Sequence, residues 1–287
     1  EQIREIVSGV SLAPIRAKGK VYILDRVDLL GVSAANAFLK TLEEPVEGVT
    51  FILLGRTREA VLPTIVSRCQ VVPFRHIPAR EAAGILSQKT GVTPEQARIA
   101  IEACNGSITR AMTFAKSAER AEFRTRIMEV LSNLPLSDER DVLEYAAELI
   151  ERAKAPLDNV RTQQSEELAE SADFLTKTAL KQIELRHKRA LSMATRESLN
   201  QTTSIIRSWL RDVLMIASGT PDLIVNIDQR EVLQRVAQKV TPASIMSALR
   251  EAYKTDETLS YNVSPETCLD VLLFSIREVL NGSGNPH

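Results

Sequence analysis

Two short apolar runs on either side of an amphipathic segment constrain the fold more than any other feature of this sequence. The runs at residues 21–24 and 51–54 are continuous, which is typical of parallel strands that are covered on both faces. Between them, apolar residues recur at helical spacing over 35–42, with Ser33 as the predicted N-cap and Pro45 as the stop. Strand, helix and strand in this order predict a βαβ crossover in a parallel sheet.

The carboxyl ends of the two predicted strands form the candidate binding edge, because ligands of open parallel sheets collect there. Asp25 follows the first strand, and residues 55–57 follow the second. In a phosphate-binding core such an aspartate reaches a magnesium ion through water; alternatively, Asp25 is a helix cap. Arg26 comes next, where a working ATPase needs a carboxylate to orient the attacking water. A guanidinium cannot accept a proton or a hydrogen bond, so this edge is predicted to lack hydrolytic chemistry of its own.

From Pro78 onward the pattern predicts helices alone, which makes the fold class α/β plus all-α. The predicted domains are half of an α/β core at 1–75, a small helical domain at 76–118 and a larger helical domain at 119–282. The tail at 283–287 has the composition of a flexible linker and is predicted to be disordered.

Charge and cysteine content exclude several classes of protein. Lys and Arg total 36 against 37 Asp and Glu, so the net charge of −1 gives no general attraction to nucleic acid or membranes. Cys69, Cys104 and Cys268 are far apart, which argues against a zinc module or a disulfide framework and favours a reducing compartment, the cytoplasm. No apolar run reaches the ~18 residues of a membrane span.

Two sequence runs carry a family resemblance. The run 36–45 reads Asn-Ala-Phe-Leu-Lys-Thr-Leu-Glu-Glu-Pro, and 62–69 reads Leu-Pro-Thr-Ile-Val-Ser-Arg-Cys. Together they closely resemble the bacterial clamp-loader branch of the AAA+ ATPases. The resemblance implies a partial AAA+ (RecA-like) parallel-sheet core, a helical lid and a C-terminal helical collar that packs with the collars of other subunits. It also implies that the phosphate loop and any zinc module lie upstream of Glu1.

In this family the Ser-Arg-Cys motif supplies an arginine to the nucleotide bound on the adjacent subunit. The resemblance therefore assigns the role of a trans-acting arginine finger to Arg68, between Ser67 and Cys69. A guanidinium forks onto phosphate oxygens and stays charged, and such a finger is worth roughly a thousandfold or more in rate. The alternative for Arg68 is a surface salt bridge. Cys69 is expected to be a small buried residue rather than a nucleophile.

Three positions depart from the family's motor subunits, although Asp25 is kept. Arg26 replaces a glutamate, Gly55-Arg56 replaces a small polar sensor, and Thr109 replaces the lid arginine that touches the γ-phosphate. Arg110 lies one position further, about 100° around the helix, and should face elsewhere. The resemblance therefore favours a non-hydrolysing stator subunit of the DNA polymerase III clamp loader, with a degenerate nucleotide site. A catalytically active gamma or tau motor ATPase with drifted sensors is the alternative.

A stator would not be an enzyme by itself, although the holoenzyme that it serves is a DNA-directed DNA polymerase. The resemblance implies gamma/tau and delta subunits, the sliding clamp and primer–template DNA as partners, in the bacterial cytoplasm at the replisome. ATP would be bound by the neighbouring subunits, and this part of the chain would hold no cofactor or metal. A stand-alone nucleic-acid-binding module is a third hypothesis, and the near-neutral charge argues against it.

The predicted collar contains large apolar residues at helical spacing. We expect most of them to be internal core and a minority to face another subunit. They are Trp209, Leu210, Val213, Leu214, Leu272, Leu273 and Ile276.

Overall fold

The computed structural model describes residues 2–10, 19–171, 174–259 and 263–282. It contains two compact units, Glu1–Arg75 and His76–His287. The predicted boundary at residue 118 falls inside the second unit, so the division of that unit into lid and collar stays a prediction. The predicted tail at 283–287 lies outside the described residues.

The first unit is a βαβ arrangement with short helices before and after it. Its elements are α1 (Gln2–Val10), β1 (Lys20–Leu24), a 3₁₀ turn (Val27–Leu29), α2 (Val32–Glu43), β2 (Val49–Leu53) and α3 (Pro63–Val66). The two strands are parallel, and their register runs from Lys20 opposite Val49 to Leu24 opposite Leu53. The predicted crossover is confirmed, and it brings the carboxyl ends of β1 and β2 side by side.

One face of this sheet is packed and the other is exposed. Phe38 of α2 is fully buried and meets Phe51 of β2 edge-on, with ring centroids 5.2 Å apart. On the opposite face, Val21 and Ile23 are 62% and 65% exposed. The prediction that both faces are covered is therefore wrong for the described residues. The reason is that α1 and α2 contribute to one apolar cluster and pack on the same face.

The start of α2 also differs from the prediction. The helix begins at Val32 with Gly31 as its N-cap, and no side chain caps it. Ser33 is the second residue of the helix, so the prediction that Ser33 caps it is wrong. The end of the helix agrees with the prediction, since it stops at Glu43, two residues before Pro45.

The second unit is built of helices throughout its described residues. They are α4 (Ala79–Thr90), α5 (Pro94–Ala103), α6 (Ile108–Lys116), α7 (Ala118–Asn133), α8 (Glu139–Lys154), α9 (Asp158–Ser171), α10 (Lys177–Ala217), α11 (Arg230–Ala237), α12 (Pro242–Leu259) and α13 (Pro265–Leu280). Three 3₁₀ turns fall where prolines interrupt the helical pattern, at Leu134–Leu136, Ala155–Leu157 and Pro221–Leu223. Local signals set the helix starts as well, as at α5, where Thr93 and Gln96 form a capping box.

The core of the second unit runs continuously from α4 to α13. Trp209 on α10 is fully buried, and it belongs to the same apolar cluster as Leu86 of α4, Ile101 of α5 and Phe114 of α6. All seven apolar residues singled out in the predicted collar are at most 9% exposed, so the expectation that most are core is confirmed. Within the described ranges, the helices lack the long apolar stretch that crossing a bilayer requires.

Candidate functional site

The Ser-Arg-Cys motif lies at the exit of α3, a single helical turn. Pro63 occupies the first position of this helix, where its missing N–H costs nothing. Ile65 is buried in the apolar cluster of the first unit and anchors the turn. The backbone N–H of Arg68 then donates to the Ile65 carbonyl at 3.0 Å, and that of Cys69 donates to Val66 at 3.2 Å. The motif is therefore held by a packed turn and presented at the surface of the unit.

The guanidinium of Arg68 is held by three neighbours. Its Nε donates to Oε1 of Glu43 at 2.6 Å, and its Nη2 contacts the same oxygen. Its Nη1 donates to the carbonyl of Thr64 at 3.0 Å and to Oγ of Ser67 at 3.2 Å. The side chain of Arg68 is 30% exposed and that of Glu43 is 48% exposed. The surface salt bridge considered as the alternative for Arg68 is present, and its partner is Glu43.

Cys69 is partly buried against the apolar cluster of the first unit. Burial raises the pKa of its thiol, which reduces the thiolate that a nucleophile needs. Cys69 is thus only partly the small buried residue that the sequence predicts, and the raised pKa gives no support to a nucleophile.

At the end of β1, Asp25 is exposed and Arg26 follows it in a left-handed conformation, with φ 58° and ψ 46°. This conformation costs a non-glycine residue about 1 kcal/mol or more. Arg26, rather than Asp25, is the N-cap residue of the 3₁₀ turn, so the helix-cap alternative for Asp25 is wrong. The guanidinium of Arg26 turns to Asp28, with Nε 3.4 Å from Oδ2.

The end of β2 lies directly beside this turn. The backbone N–H of Val27 donates to the Leu54 carbonyl at 2.9 Å, and that of Leu54 donates to Leu24 at 2.8 Å. Gly55 follows, and a Cβ placed there would lie 2.7 Å from a methyl group of Val61. A side chain at position 55 would therefore require the Val61 side chain to shift, and Arg56 after it is exposed. The structure thus brings Asp25, Arg26 and Arg56 to neighbouring strand ends.

Thr109 belongs to the second unit, where it is the exposed second residue of α6. The next residue, Arg110, ion-pairs with Glu197 of α10 and donates from Nη2 to the Cys104 carbonyl at 3.2 Å. Arg110 therefore faces α10 and packs within its own unit.

Two features of the site were not found from the sequence. Glu43 lies in the Leu-Glu-Glu-Pro run, yet its pairing with Arg68 spans 25 positions and leaves no local signal. The ties between α5 and α10 were also missed. Arg211 Nη1 donates to Glu102 at 2.6 Å, and Arg207 Nη2 donates to Oδ1 of Asn105 at 2.7 Å.

Among the described residues, no group of three or more His, Cys, Asp or Glu side chains could hold a metal ion.

The described residues define a class: a small α/β unit with a parallel two-stranded sheet followed by a helical unit, an architecture consistent with part of an AAA+ fold. Two family models match the chain. The model described as "DNA polymerase III, delta subunit" matches residues 1–78, and "DNA polymerase III, delta subunit, C terminal" matches residues 165–277.

Two curated relatives come from Bacillus subtilis (strain 168). DNA polymerase III subunit tau is 31% identical over 177 residues, which are 54% of this chain and 31% of tau. DNA polymerase III subunit delta' is 29% identical over 129 residues, 45% of this chain and 39% of that subunit. A solved gamma subunit-related protein of Thermotoga maritima covers 97% of this chain and 78% of its own, at 18% identity and a TM-score of 0.42.

The chain spans about a third of the length of the two curated relatives. These matches support a clamp-loader subunit of DNA polymerase III, of the delta or delta-prime type. Because a tau and a delta-prime subunit both stand among the relatives, overall similarity does not separate these two types of subunit. That choice depends on individual residues.

Proposed function

We propose that this chain is a non-hydrolysing stator of the delta-prime type, which supports ATP-dependent loading of the sliding clamp onto primed DNA during replication. The observation that carries the proposal is Arg26. It stands where hydrolysis needs a carboxylate, and its guanidinium turns to Asp28, which leaves no general base directly after Asp25. The close approach of Val61 to Gly55, which leaves little room for a sensor side chain, and the engagement of Arg110 with α10 support the same conclusion.

The connections between α5, α6 and α10 support a fixed role for the predicted lid. In a motor subunit, nucleotide binding and hydrolysis are coupled to movement of such a domain. Here Glu102, Asn105 and Arg110 all hold residues of α10. Together with the shared apolar core, these contacts favour a lid that moves with the collar as one body.

We further propose that Arg68 acts in trans on ATP bound to an adjacent gamma/tau subunit. The supporting geometry is a packed turn that presents an arginine at the surface of its unit. The other proposed partners are the delta subunit, the sliding clamp and primer–template DNA, in the bacterial cytoplasm. Because the net charge is −1, contact with DNA would be local, from helix N-termini and scattered Lys or Arg to phosphate.

The stator is tested by purifying the full-length protein alone and measuring ATP hydrolysis. We expect none above background, and turnover at motor rates would overturn the proposal. The motor alternative retains one specific observation, the exposed Asp25 at the end of β1. An intact Gly-x-x-x-x-Gly-Lys-Ser/Thr loop upstream of residue 1 would favour that alternative.

The finger is tested in the complex reconstituted with its partner subunits. We expect Arg68→Ala to reduce hydrolysis at the adjoining site by roughly a thousandfold, with assembly intact. Arg58→Ala is the matched control, because Arg58 is an exposed arginine of the same unit. Hydrolysis unchanged by Arg68→Ala would rule out the finger assignment.

A further inference from the structure

The proposed finger does not stand alone, because Glu43 holds its guanidinium. Glu43 is the last residue of α2 and its carboxylate reaches across to the exit of α3. Oε1 meets the Nε side of Arg68, at 2.6 Å from Nε and in contact with Nη2. Such charge-assisted contacts on one edge of a guanidinium fix its plane as well as its position.

The second support of Arg68 is backbone. Because α3 is only four residues long, the carbonyl of Thr64 is free to accept from outside the helix. It accepts from Nη1 of Arg68 at 3.0 Å and also from the hydroxyl of Ser67 at 3.1 Å. Glu43 and Thr64 therefore hold opposite sides of the same guanidinium.

Donor counting shows which side is left for a ligand. A guanidinium has five N–H donors. Nε and one N–H of Nη2 face Glu43, while Nη1 serves Thr64 and Ser67. The second N–H of Nη2 remains, and the bond to the Ser67 hydroxyl, at 3.2 Å, is longer than those to Thr64 and Glu43. Rotation of the Ser67 side chain about Cα–Cβ would move Oγ away and release one N–H of Nη1, so the terminal edge of Arg68 can receive a phosphate while Glu43 keeps the other edge.

We propose that Glu43 is the positioning residue for Arg68: it holds the guanidinium in the orientation in which it meets the phosphate on the adjacent subunit. This inference rests on the proposed finger role. A free arginine side chain samples many rotamers, and ordering it when the neighbour binds would weaken its action. The ion pair orders it beforehand, within the isolated subunit. Because the pair is about one-third to one-half exposed, solvent screens the Glu43 charge and the guanidinium can still attract an anion.

The opposite role for Glu43 predicts the opposite result. If Glu43 were a latch that keeps Arg68 away from the phosphate, its removal would raise hydrolysis. If it only tied α2 to α3, its removal would lower the stability of the subunit and leave turnover in the assembled complex unchanged. The three roles therefore differ in a single assay.

The assay uses complexes reconstituted with full-length wild-type, Arg68→Ala, Glu43→Ala, Glu43→Gln and Glu44→Ala subunits. The difference between wild type and Arg68→Ala defines the Arg68-dependent share of ATP hydrolysis. We expect Glu43→Ala to lower kcat for this share about tenfold with KM for ATP unchanged, because the finger is present but misplaced. Glu43→Gln keeps an oxygen acceptor without the charge, and its kcat should lie between those of wild type and Glu43→Ala. Glu44→Ala, at the neighbouring exposed position, should match wild type.

The outcomes separate the inference from the function on which it rests. If Arg68→Ala leaves hydrolysis unchanged, the finger itself is wrong. If Arg68→Ala lowers ATP hydrolysis while the complex with Glu43→Ala hydrolyses ATP as fast as wild type or faster, only the positioning role is wrong. The double variant should be no slower than Arg68→Ala alone, and an additional loss would also overturn the proposal. If Glu43→Ala fails to assemble, the same comparison is decided with Glu43→Gln.

Discussion

The two units differ in how deeply some of their arginines are buried. In the first unit, Arg56 is exposed, and Arg26 and Arg68 keep part of their side chains at the surface. In the second unit, Arg124 and Arg207 are less than 9% exposed. These arginines of the first unit stay partly at the surface, whereas Arg124 and Arg207 join parts of the second unit from within, through Asp228 and Asp256.

The interior of the second unit shows what this joining involves. Asp212 is fully buried and accepts from the backbone N–H of Val225 at 3.0 Å and of Asn226 at 2.7 Å. The side-chain amide of Asn226 donates to the same carboxylate at 2.8 Å, and Arg211 ion-pairs with it. Buried charges are tolerated when they are paired and hydrogen-bonded in this way. In the first unit, by contrast, the described interior is one apolar cluster around Phe38.

The comparison predicts that the stability of the second unit depends mainly on its apolar core. Of the substitutions considered, Trp209→Ala should therefore lower the free energy of unfolding the most. Truncating a fully buried aromatic residue costs about 4 kcal/mol, because transfer energy is lost and a cavity forms. Urea unfolding followed by circular dichroism measures the change. Trp209→Phe is the control and should cost less than half as much, since the indole Nε1 finds no hydrogen-bond partner among the described residues.

Phe38→Ala should instead destabilise the first unit and leave the second unit folded. Unfolding of both units by Phe38→Ala would contradict the comparison.

Arg124→Ala should come next, at about 3 kcal/mol. Arg124 donates to both carboxylate oxygens of Asp228, at 2.8 and 2.9 Å, and to Oδ1 of Asn226 at 2.8 Å. Its removal leaves Oδ1 of the buried Asn226 without this donor, which is costly, whereas the half-exposed Asp228 can turn to water. The control is Arg126→Ala, because Arg126 also forms a two-pronged pair, with Glu148, but nearer the surface. It should cost about 1 kcal/mol or less, and equal costs would show that burial does not distinguish the two arginines.

The sequence predicted the parts of this organisation that depend on local chemistry. Helices alone were predicted from Pro78 onward, and the described residues there are helical, with Pro135, Pro156 and Pro242 at interruptions or starts of helices, because proline lacks an N–H and fixes φ. The apolar residues of α10 and α13 were predicted to be core because their spacing alone places them on one face of a helix.

The rest depended on the tertiary arrangement. An apolar strand such as 21–24 has the same sequence whether one face or two are covered, and only the placement of α1 and α2 decides between them. The candidate residues Asp25, Arg26 and Arg56 were placed correctly at strand ends, because a βαβ crossover fixes where strand ends meet. Glu43 could not be assigned to Arg68, since pairing across 25 positions has no periodic signal.

Thiol labelling tests the comparison between the units directly. Burial raises the pKa of Cys104 to about 11, which lowers its thiolate about a hundredfold relative to an ordinary thiol. Cys69 in the first unit is only partly buried. Pulsed labelling at increasing urea, read by mass spectrometry, should modify Cys69 before Cys104 and Cys268. Modification of all three at the same urea concentration would mean that the units unfold together.

The smallest expected effect concerns a surface ion pair in the second unit. Lys154 donates to Oε1 of Glu266 at 2.9 Å, and the hydroxyl of Ser264 donates to Oε2 at 2.7 Å. These bonds, from Lys154 first, lower the pKa of Glu266 to about 2, against an ordinary value of 4.5. A carboxylate whose pKa is lower in the folded state stabilises the fold above pH 4.5, and this contribution is lost as the pH falls toward 2.

Because the side chain of Glu266 is 53% exposed, solvent limits the contribution to below about 1 kcal/mol. Lys154→Met should raise the pKa of Glu266 toward its ordinary value, which NMR titration measures, and should reduce the acid sensitivity of unfolding between pH 4.5 and 2. Lys254→Met, which removes an exposed pair with Glu251 one turn along α12, should leave the pKa of Glu266 unchanged. A loss above 2 kcal/mol from Lys154→Met would place this surface pair among the structural ties of the second unit, beside Arg124, and the contrast between buried and exposed cations would no longer hold.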